Sequence, residues 1–178
     1  YVVDKLTEEV WVVSKGEDNK YTGKVSIPSQ VTCDDDNTTY SVTGIYEGAF
    51  SGCTGLTSVT IQEGVTSIGD DAFLGCTGLE SVTIPSSVTS IEERAFLGCT
   101  KLTSVTIPEG VTSIGIIAFS GCTGLTSVTI PSSVTSIEEN AFADCTSLTS
   151  VTMLGETPPT MGNNILGSTN ANLTIHVL

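Results

Sequence analysis

The sequence predicts a right-handed, β-rich solenoid built from repeats of about 23 residues, and three observations carry that prediction. An Ala-Phe pair, a cysteine and a leucine each recur at a constant interval across five copies. Each copy contains a short stretch in which apolar and polar residues alternate, as in a half-buried strand. Hydrophobic residues make up 39% of the 178 residues, and a single copy is too short to bury its share of them without a neighbour.

The recurring residues define the register of the array. The Ala-Phe pairs are Ala49-Phe50, Ala72-Phe73, Ala95-Phe96, Ala118-Phe119 and Ala141-Phe142. The cysteines are Cys53, Cys76, Cys99, Cys122 and Cys145, and the leucines are Leu56, Leu79, Leu102, Leu125 and Leu148. We therefore expect equivalent side chains of successive repeats to stack, with coils about 4.8 Å apart.

One repeat can be divided into short elements. Between Leu102 and Ile107, apolar and polar residues alternate, which predicts a strand with one buried face. Pro108-Glu109-Gly110 predicts a turn, and a second short extended piece follows it. The acidic residues before each Ala-Phe pair suit the N-terminus of a short helical turn, which we expect through Ala118-Phe119. Successive copies alternate between the phrases EGVTSIG and SSVTSIE, which indicates duplication of a two-repeat unit.

Composition and charge argue against several classes of protein. With 20 acidic and 6 basic residues, the net charge is −14, which disfavours binding to nucleic acid or to anionic lipid. No run approaches the roughly 18 to 20 apolar residues that a membrane-spanning helix needs. The sequence starts at Tyr1 without a signal segment, so we interpret it as a trimmed mature fragment.

Nothing in the sequence indicates catalysis. His176 is the single histidine, and no nucleophile elbow, phosphate loop or paired-histidine metal motif is present. We therefore predict a protein that is not an enzyme and that uses no cofactor or metal. Asp34-Asp35-Asp36 could belong to a calcium loop, but neither the glycine nor the glutamate of an EF-hand follows at its position. A solvated insertion loop is the favoured interpretation.

The five periodic cysteines are interpreted as a ladder of buried free thiols that behave as small apolar side chains. Adjacent coils could bring two of them within disulfide range, but their side chains would point in parallel. No Cys-x-x-Cys spacing indicates zinc. Cys33 lies outside the register, and a free thiol is favoured over pairing with a partner.

The Leu-x-x-Val-x-Ile strand, followed by Val-x-x-Ile-x-x-x-Ala-Phe-x-x-Cys, resembles the leucine-rich repeats of the BspA-like type from Val25 to about Met153. The resemblance implies a leucine-rich repeat solenoid and supplies no catalytic residues. It also implies a bacterial protein at the cell surface or secreted, because family members are mainly such proteins. Some members are described as adhesins that bind host matrix proteins or other microbes.

Three regions are expected. Residues 1–24 form an N-terminal capping β-hairpin, in which the segment at Trp11 pairs with the one from Tyr21 to Ile27. Residues 25–153 form the repeat array, whose first repeat carries an insertion at 31–41. Residues 154–178 form a divergent C-terminal cap, which we expect to be truncated, with a last strand from Leu173 to Val177.

Two surfaces are candidate contacts with a partner. The first is the hydroxyl-rich outer face of the strands, because solenoids commonly bind partners there. Its candidate residues are Thr57, Thr60, Thr83, Thr103, Thr106, Thr126, Thr129 and Thr149. The alternative is that threonine simply suits a strand. The second surface is Ile116-Ile117, extended by Leu74 and Leu97, because sister repeats carry the acidic pairs Asp70-Asp71, Glu92-Glu93 and Glu138-Glu139 there.

The sequence and the resemblance together favour a non-catalytic protein that binds a host matrix protein or a microbial surface protein. A structural spacer that presents another domain at the cell surface is a second hypothesis. Capture of carbohydrate by a surface uptake system is a third, which the lack of clustered aromatic residues disfavours. The ligand and the oligomeric state are left open.

Overall fold

A computed structural model describes residues 2–4, 9–14, 20–34, 37–168 and 170–177. In these ranges the chain forms sixteen short strands joined by turns, and no helix. The strands are β1 (Val2–Asp4), β2 (Glu9–Val12), β3 (Gly23–Ile27), β4 (Gln30–Thr32), β5 (Thr39–Ile45), β6 (Leu56–Ile61), β7 (Ser67–Ile68), β8 (Ser81–Thr83), β9 (Ser90–Ile91), β10 (Ser104–Thr106), β11 (Ser113–Ile114), β12 (Ser127–Ile130), β13 (Ser136–Ile137), β14 (Ser150–Met153), β15 (Thr160–Met161) and β16 (Thr174–Val177).

Each coil contributes one strand to each of two sheets, in which strands of successive coils pair in parallel. The first sheet runs β3-β6-β8 and then β10-β12-β14-β16, with its ladder interrupted between β8 and β10. The second runs β1-β2-β5-β7-β9-β11-β13-β15. Residues pair across coils in repeat register, so that Val59 lies beside Val82 and Ile91 beside Ile114. This register confirms the solenoid that the sequence predicts.

The expected short helical turn is not confirmed, because the described residues form no helix there. Between the two sheets, each coil has a turn segment whose N–H groups bond alternately within their own coil and to the next one. Ser51 N–H donates to Gly48 O at 3.0 Å, whereas Phe50 N–H donates to Ala72 O at 2.8 Å. A helix would need all of these donors for bonds inside one segment. The neighbouring coil supplies the other acceptors, so this region forms a ladder of turns.

A column of stacked phenylalanine rings forms the centre of the core. Phe50, Phe73, Phe96, Phe119 and Phe142 are each 2% exposed or less. Their ring centroids are 4.9 to 5.2 Å apart, and successive planes differ by 6° or less. The N-terminal end of the column is covered by the Tyr21 ring, 4.7 Å from that of Phe50. The stack therefore advances about 5 Å per coil, in keeping with the spacing of paired strands.

The N-terminal strands pair differently from the expected hairpin. Strand β2, which holds Trp11, pairs antiparallel with β1 and parallel with β5 in the second sheet. The segment from Tyr21 to Ile27 instead supplies β3, which pairs parallel with β6 in the first sheet. The physical reason is register, because the Val25-Ser26-Ile27 pattern matches Val59-Thr60-Ile61 and binds beside it. Residues 1, 5–8 and 15–19 of the expected cap lie outside the described residues.

The insertion in the first repeat forms a hairpin on the edge of the second sheet. Strand β4 pairs antiparallel with β5, with Gln30 opposite Ser41 and Thr32 opposite Thr39. Asp35 and Asp36, which the sequence places between these two strands, lie outside the described residues, so the calcium-loop alternative stays untested.

The divergent C-terminal residues continue both sheets. Strand β15 pairs parallel with β13, and β16 pairs parallel with β14. The predicted last strand is thus observed as β16. Met161, Ile175 and Val177 occupy the register of the buried residues Ile137, Val151 and Met153, but they are 47%, 49% and 60% exposed.

Replacing Phe96 with alanine tests the ring column. Because Phe96 is fully buried between two other rings, we expect the Phe96→Ala variant to lose about 3–5 kcal/mol of unfolding free energy. Chemical denaturation followed by circular dichroism measures this loss. Tyr46→Ala, at a ring that is mostly exposed, is the control and should change stability far less. Equal losses in the two variants would contradict the assigned role of the column.

Candidate functional site

The outer face of the first sheet carries two columns of threonine that differ in their hydrogen bonds. The first column contains Thr60, Thr83, Thr106 and Thr129, which flank buried strand residues. Three of them are exposed and Thr60 is half-buried. Among the described residues, their hydroxyls have no hydrogen-bond partner. These hydroxyls therefore remain available to a ligand. We call this column the free hydroxyl column.

The second threonine column of this face is partly committed to the fold. Thr126 Oγ1 donates to Thr103 O at 3.3 Å, and Thr149 Oγ1 donates to Thr126 O at 3.2 Å. The second sheet has a similar ladder, in which Thr112 Oγ1 donates to Thr89 O at 3.1 Å. Thr126 and Thr149 therefore serve the fold, because each hydroxyl is bonded to a backbone carbonyl of the neighbouring coil. Thr57 and Thr103 stand in the same column, Thr57 half-buried and Thr103 exposed.

The structure separates the two isoleucines that the sequence grouped. Ile116 is 40% exposed, whereas Ile117 is half-buried and has a positive φ of 60°. Arg94 N–H donates to Ile116 O at 2.9 Å, and Ile117 N–H donates to Glu139 O at 3.0 Å. The residues equivalent to Ile116-Ile117 in the neighbouring coils are therefore Glu93-Arg94 and Glu139-Asn140. The acidic pairs compared with Ile116-Ile117 on the sequence alone, Glu92-Glu93 and Glu138-Glu139, begin one residue before these equivalent positions. Leu74 and Leu97 are half-buried between coils.

Ile117 occupies a backbone conformation that its side chain disfavours. Residues at the equivalent positions are Asp71, Arg94 and Asn140, all with φ between 54° and 56°. Asparagine and aspartate tolerate this left-handed region best, and a β-branched residue there is an outlier. Arg94 is held in place by ion pairs with Asp71 at 3.0 Å and Glu93 at 3.3 Å.

The five periodic cysteines form the buried ladder of free thiols that the sequence predicts. Cys76 Sγ donates to Phe50 O at 3.0 Å, and the later cysteines repeat this contact with the phenylalanine carbonyl of the coil before. Burial raises the pKa of Cys76 and of Cys145 to about 12. Their role is to pack and to saturate a buried carbonyl. Cys33, also a free thiol, is half-buried.

The alternation of two repeat types has a structural role that sequence reasoning missed. Glu63, in an EGVTSIG copy, accepts hydrogen bonds from Ser86 N–H and Ser87 N–H of the following SSVTSIE copy, both at 3.1 Å. The Ser86 backbone bond is the main cause that lowers the pKa of Glu63. Glu109 repeats the contact with the Ser132 hydroxyl at 3.2 Å. The glutamate that recurs in every second copy is the feature of the sequence that could have predicted this contact.

The fold also assembles an aromatic pair that the sequence does not show as a cluster. The rings of Trp11 and Tyr46 meet edge to face, with centroids 6.3 Å apart. Trp11 lies against Gly44, where a Cβ atom would collide with the indole ring. Tyr46 is 56% exposed. The two residues are 35 positions apart and meet because β2 pairs with β5.

The described residues form no cluster that could hold a metal ion. Across the described ranges, no three His, Cys, Asp or Glu side chains converge as metal ligands would. His176 lies exposed on β16 beside Thr152. None of the described segments forms a helix long and apolar enough to cross a membrane.

The two-sheet solenoid with its leucine, phenylalanine and cysteine columns defines a class of leucine-rich repeat protein. A profile of the BspA type leucine-rich repeat region matches six copies over residues 30–149. The chain belongs to this family. No curated protein matches it.

Solved structures resemble the whole chain. A leucine-rich repeat protein of T. pallidum, TpLRR, has 27% identity and a TM-score of 0.80, over 98% of this chain and 87% of that one. A leucine-rich cell surface protein of Faecalibacterium prausnitzii has 31% identity and a TM-score of 0.69, over 99% of this chain and 52% of that one. The pneumococcal vaccine antigen PcpA has 26% identity and a TM-score of 0.73, over 95% and 43%.

The thiols should react in two classes. Because burial keeps the ladder cysteines protonated, we expect a maleimide to label Cys33 much faster than the ladder in the native protein. Raising the pH to about 10 should leave that difference in place, since a pKa of about 12 lies well above it. Mass spectrometry after chymotrypsin digestion reads the sites, since cleavage after Tyr40 and after each phenylalanine of the column puts every cysteine on a separate peptide. Labelling of the ladder at the rate of Cys33 would contradict the assignment, and full unfolding should expose all six thiols.

Relieving the backbone of Ile117 should stabilise the protein. We expect Ile117→Asn to raise the unfolding free energy by about 0.5–1 kcal/mol, because asparagine accepts a positive φ better than isoleucine. Ile116→Asn, at an exposed neighbour with ordinary backbone, is the control and should change stability little. Thermal and urea denaturation measure both. A clear loss of stability in Ile117→Asn would show that packing of Ile117 outweighs its strain.

Proposed function

We propose that this chain is a non-catalytic binding module of a cell-surface or secreted protein, and that it binds a protein on the outer face of its first sheet. The partner class is a host matrix protein or a surface protein of another microbe. One observation carries the proposal: the hydroxyls of the free hydroxyl column, Thr60, Thr83, Thr106 and Thr129, have no hydrogen-bond partner in the part of the chain that the structure describes. Exposed hydroxyls on a rigid parallel sheet supply donors and acceptors at regular spacing.

The comparisons support the setting of this proposal. Leucine-rich repeat proteins generally bind proteins, and the relative from Faecalibacterium prausnitzii is described as a cell surface protein. Family membership also supports a non-catalytic role, since the family is generally non-catalytic. If the chain is a spacer, its sheet face binds no ligand. If the chain captures carbohydrate, that face binds sugars. Binding measurements therefore distinguish both alternatives from protein binding.

The test is capture of host matrix and plasma proteins by the immobilised chain, followed by affinity measurement with each purified partner. We expect saturable binding that falls about tenfold or more in a Thr83→Arg, Thr106→Arg variant, because two bulky cations would obstruct the centre of the face. The matched control is Thr77→Arg, Asn172→Arg, which adds the same charge at exposed positions outside both threonine columns.

Three outcomes can be told apart. Binding that both variants weaken equally would reflect the change of net charge and would contradict the sheet-face site. No protein partner at micromolar concentration would favour the spacer. Binding only to glycans on an array would favour carbohydrate capture.

A further inference from the structure

A second surface lies where the second sheet passes into the ladder of turns. Here equivalent residues of successive coils form two adjacent columns. One contains Glu47, Asp70, Glu93, Ile116 and Glu139, and the other contains Tyr46, Gly69, Glu92, Gly115 and Glu138. Hydrogen bonds between coils hold the register, as in Gly48 N–H to Asp70 O at 2.9 Å. We call these two columns the turn edge.

Two apolar points interrupt the turn edge. The first is Tyr46, 56% exposed and supported edge to face by Trp11. The second is Ile116, 40% exposed, which stands in register between Glu93 and Glu139. The points are three coils apart, so a rise of about 5 Å per coil separates them by about 15 Å. Tyrosine is one of the residue types at which protein interfaces concentrate their binding energy, and an exposed isoleucine adds apolar area that a partner can bury.

The backbone at the second apolar point is an independent sign of function. Ile117 adopts a positive φ that its sister repeats give to aspartate, arginine or asparagine. A β-branched residue is strained there, and strain that a fold could easily avoid tends to mark a functional site. The pair Ile116-Ile117 is therefore better explained by contact with a partner than by the stability of this repeat.

The charges around the two points select the chemistry of that partner. Glu47, Asp70, Glu92, Glu138 and Glu139 are all exposed. Beyond residue 25 the sequence contains two cations, Arg94 and Lys101, and Arg94 is paired with Asp71 and Glu93. Lys20 approaches the turns at Ser51, where its Nζ donates to the carbonyl at 2.6 Å. Some of these carboxylates accept hydrogen bonds from their own turns, but none of the five forms an ion pair within the described residues. An apolar anchor among carboxylates whose charge is not neutralised complements an apolar residue flanked by lysine or arginine.

We propose that the turn edge docks a basic polypeptide segment of a partner protein, with one apolar side chain at Tyr46 and another at Ile116. The proposal rests on the proposed function only in that the chain binds proteins, since it uses a different surface. An extended segment rises about 3.4 Å per residue, so two side chains four residues apart on one face span about 14 Å. That span matches the separation of the two points.

The probe is a synthetic peptide of lysine and serine with two leucines four residues apart, and its affinity is measured by isothermal titration. The comparison peptide has both leucines replaced by serine and keeps the charge. We expect the leucine peptide to bind about fivefold more tightly or better. Ile116→Ser and Tyr46→Ser should each remove most of that advantage. Leu154→Ser, at an equally exposed apolar residue on the last coil, is the matched control and should remove none.

Charge variants separate this site from unspecific attraction to an acidic protein. Glu138→Gln, Glu139→Gln removes two charges from the turn edge, and Glu80→Gln, Glu156→Gln removes two exposed charges elsewhere. We expect the first pair to weaken binding at least threefold more than the second. Equal effects of the two pairs, or equal affinity for the two peptides, would overturn the proposal. The sheet-face variant Thr83→Arg, Thr106→Arg should bind the leucine peptide as tightly as its charge-matched control does. The turn-edge proposal and the sheet-face proposal can therefore fail independently of each other.

Discussion

The repeat register between coils is the constraint on which the rest of this structure depends. Every coil hydrogen-bonds to its neighbours through two parallel sheets and through the ladder of turns. Because equivalent residues lie directly above one another, any residue type that recurs in the repeat becomes a column in the fold. The stacked rings from Phe50 to Phe142 and the thiols from Cys53 to Cys145 are two such columns. Stability therefore comes from contacts between nearest neighbours, as in other solenoids.

The same register explains why turn residues replace a helix. In the segment around each Ala-Phe pair, half of the N–H donors find a carbonyl in the next coil. A helix would withdraw those donors from the neighbour and would widen the coil spacing that the phenylalanine rings require. Residues with positive φ, such as Asp71 and Asn140, complete the tight turn. The alternation of glutamate and serine at Glu63 and Ser86 adds a further contact between coils.

Columns also organise the candidate binding surfaces. On the first sheet, the threonines at Thr126 and Thr149 give their hydroxyls to the backbone, whereas those at Thr83 and Thr106 keep theirs free. On the turn edge, Ile116 occupies a position at which the equivalent residues of the other repeats are acidic. A repeated column such as the threonines can therefore present one surface, and a departure from the repeat such as Ile116 can present another.

The sequence by itself determined the solenoid, its register, its buried phenylalanine and cysteine columns and the outward position of the threonines, because a constant repeat leaves one way to stack equivalent side chains. It also located Ile116 as a departure from the repeat. Only the tertiary structure decided which threonine hydroxyls are already bonded, because that depends on the distance to a carbonyl of the neighbouring coil. The pairing of β2 with β5, the encounter of Trp11 with Tyr46 and the strained backbone of Ile117 were likewise invisible in the sequence. Each depends on contacts between distant or non-repeating residues, for which periodicity carries no signal.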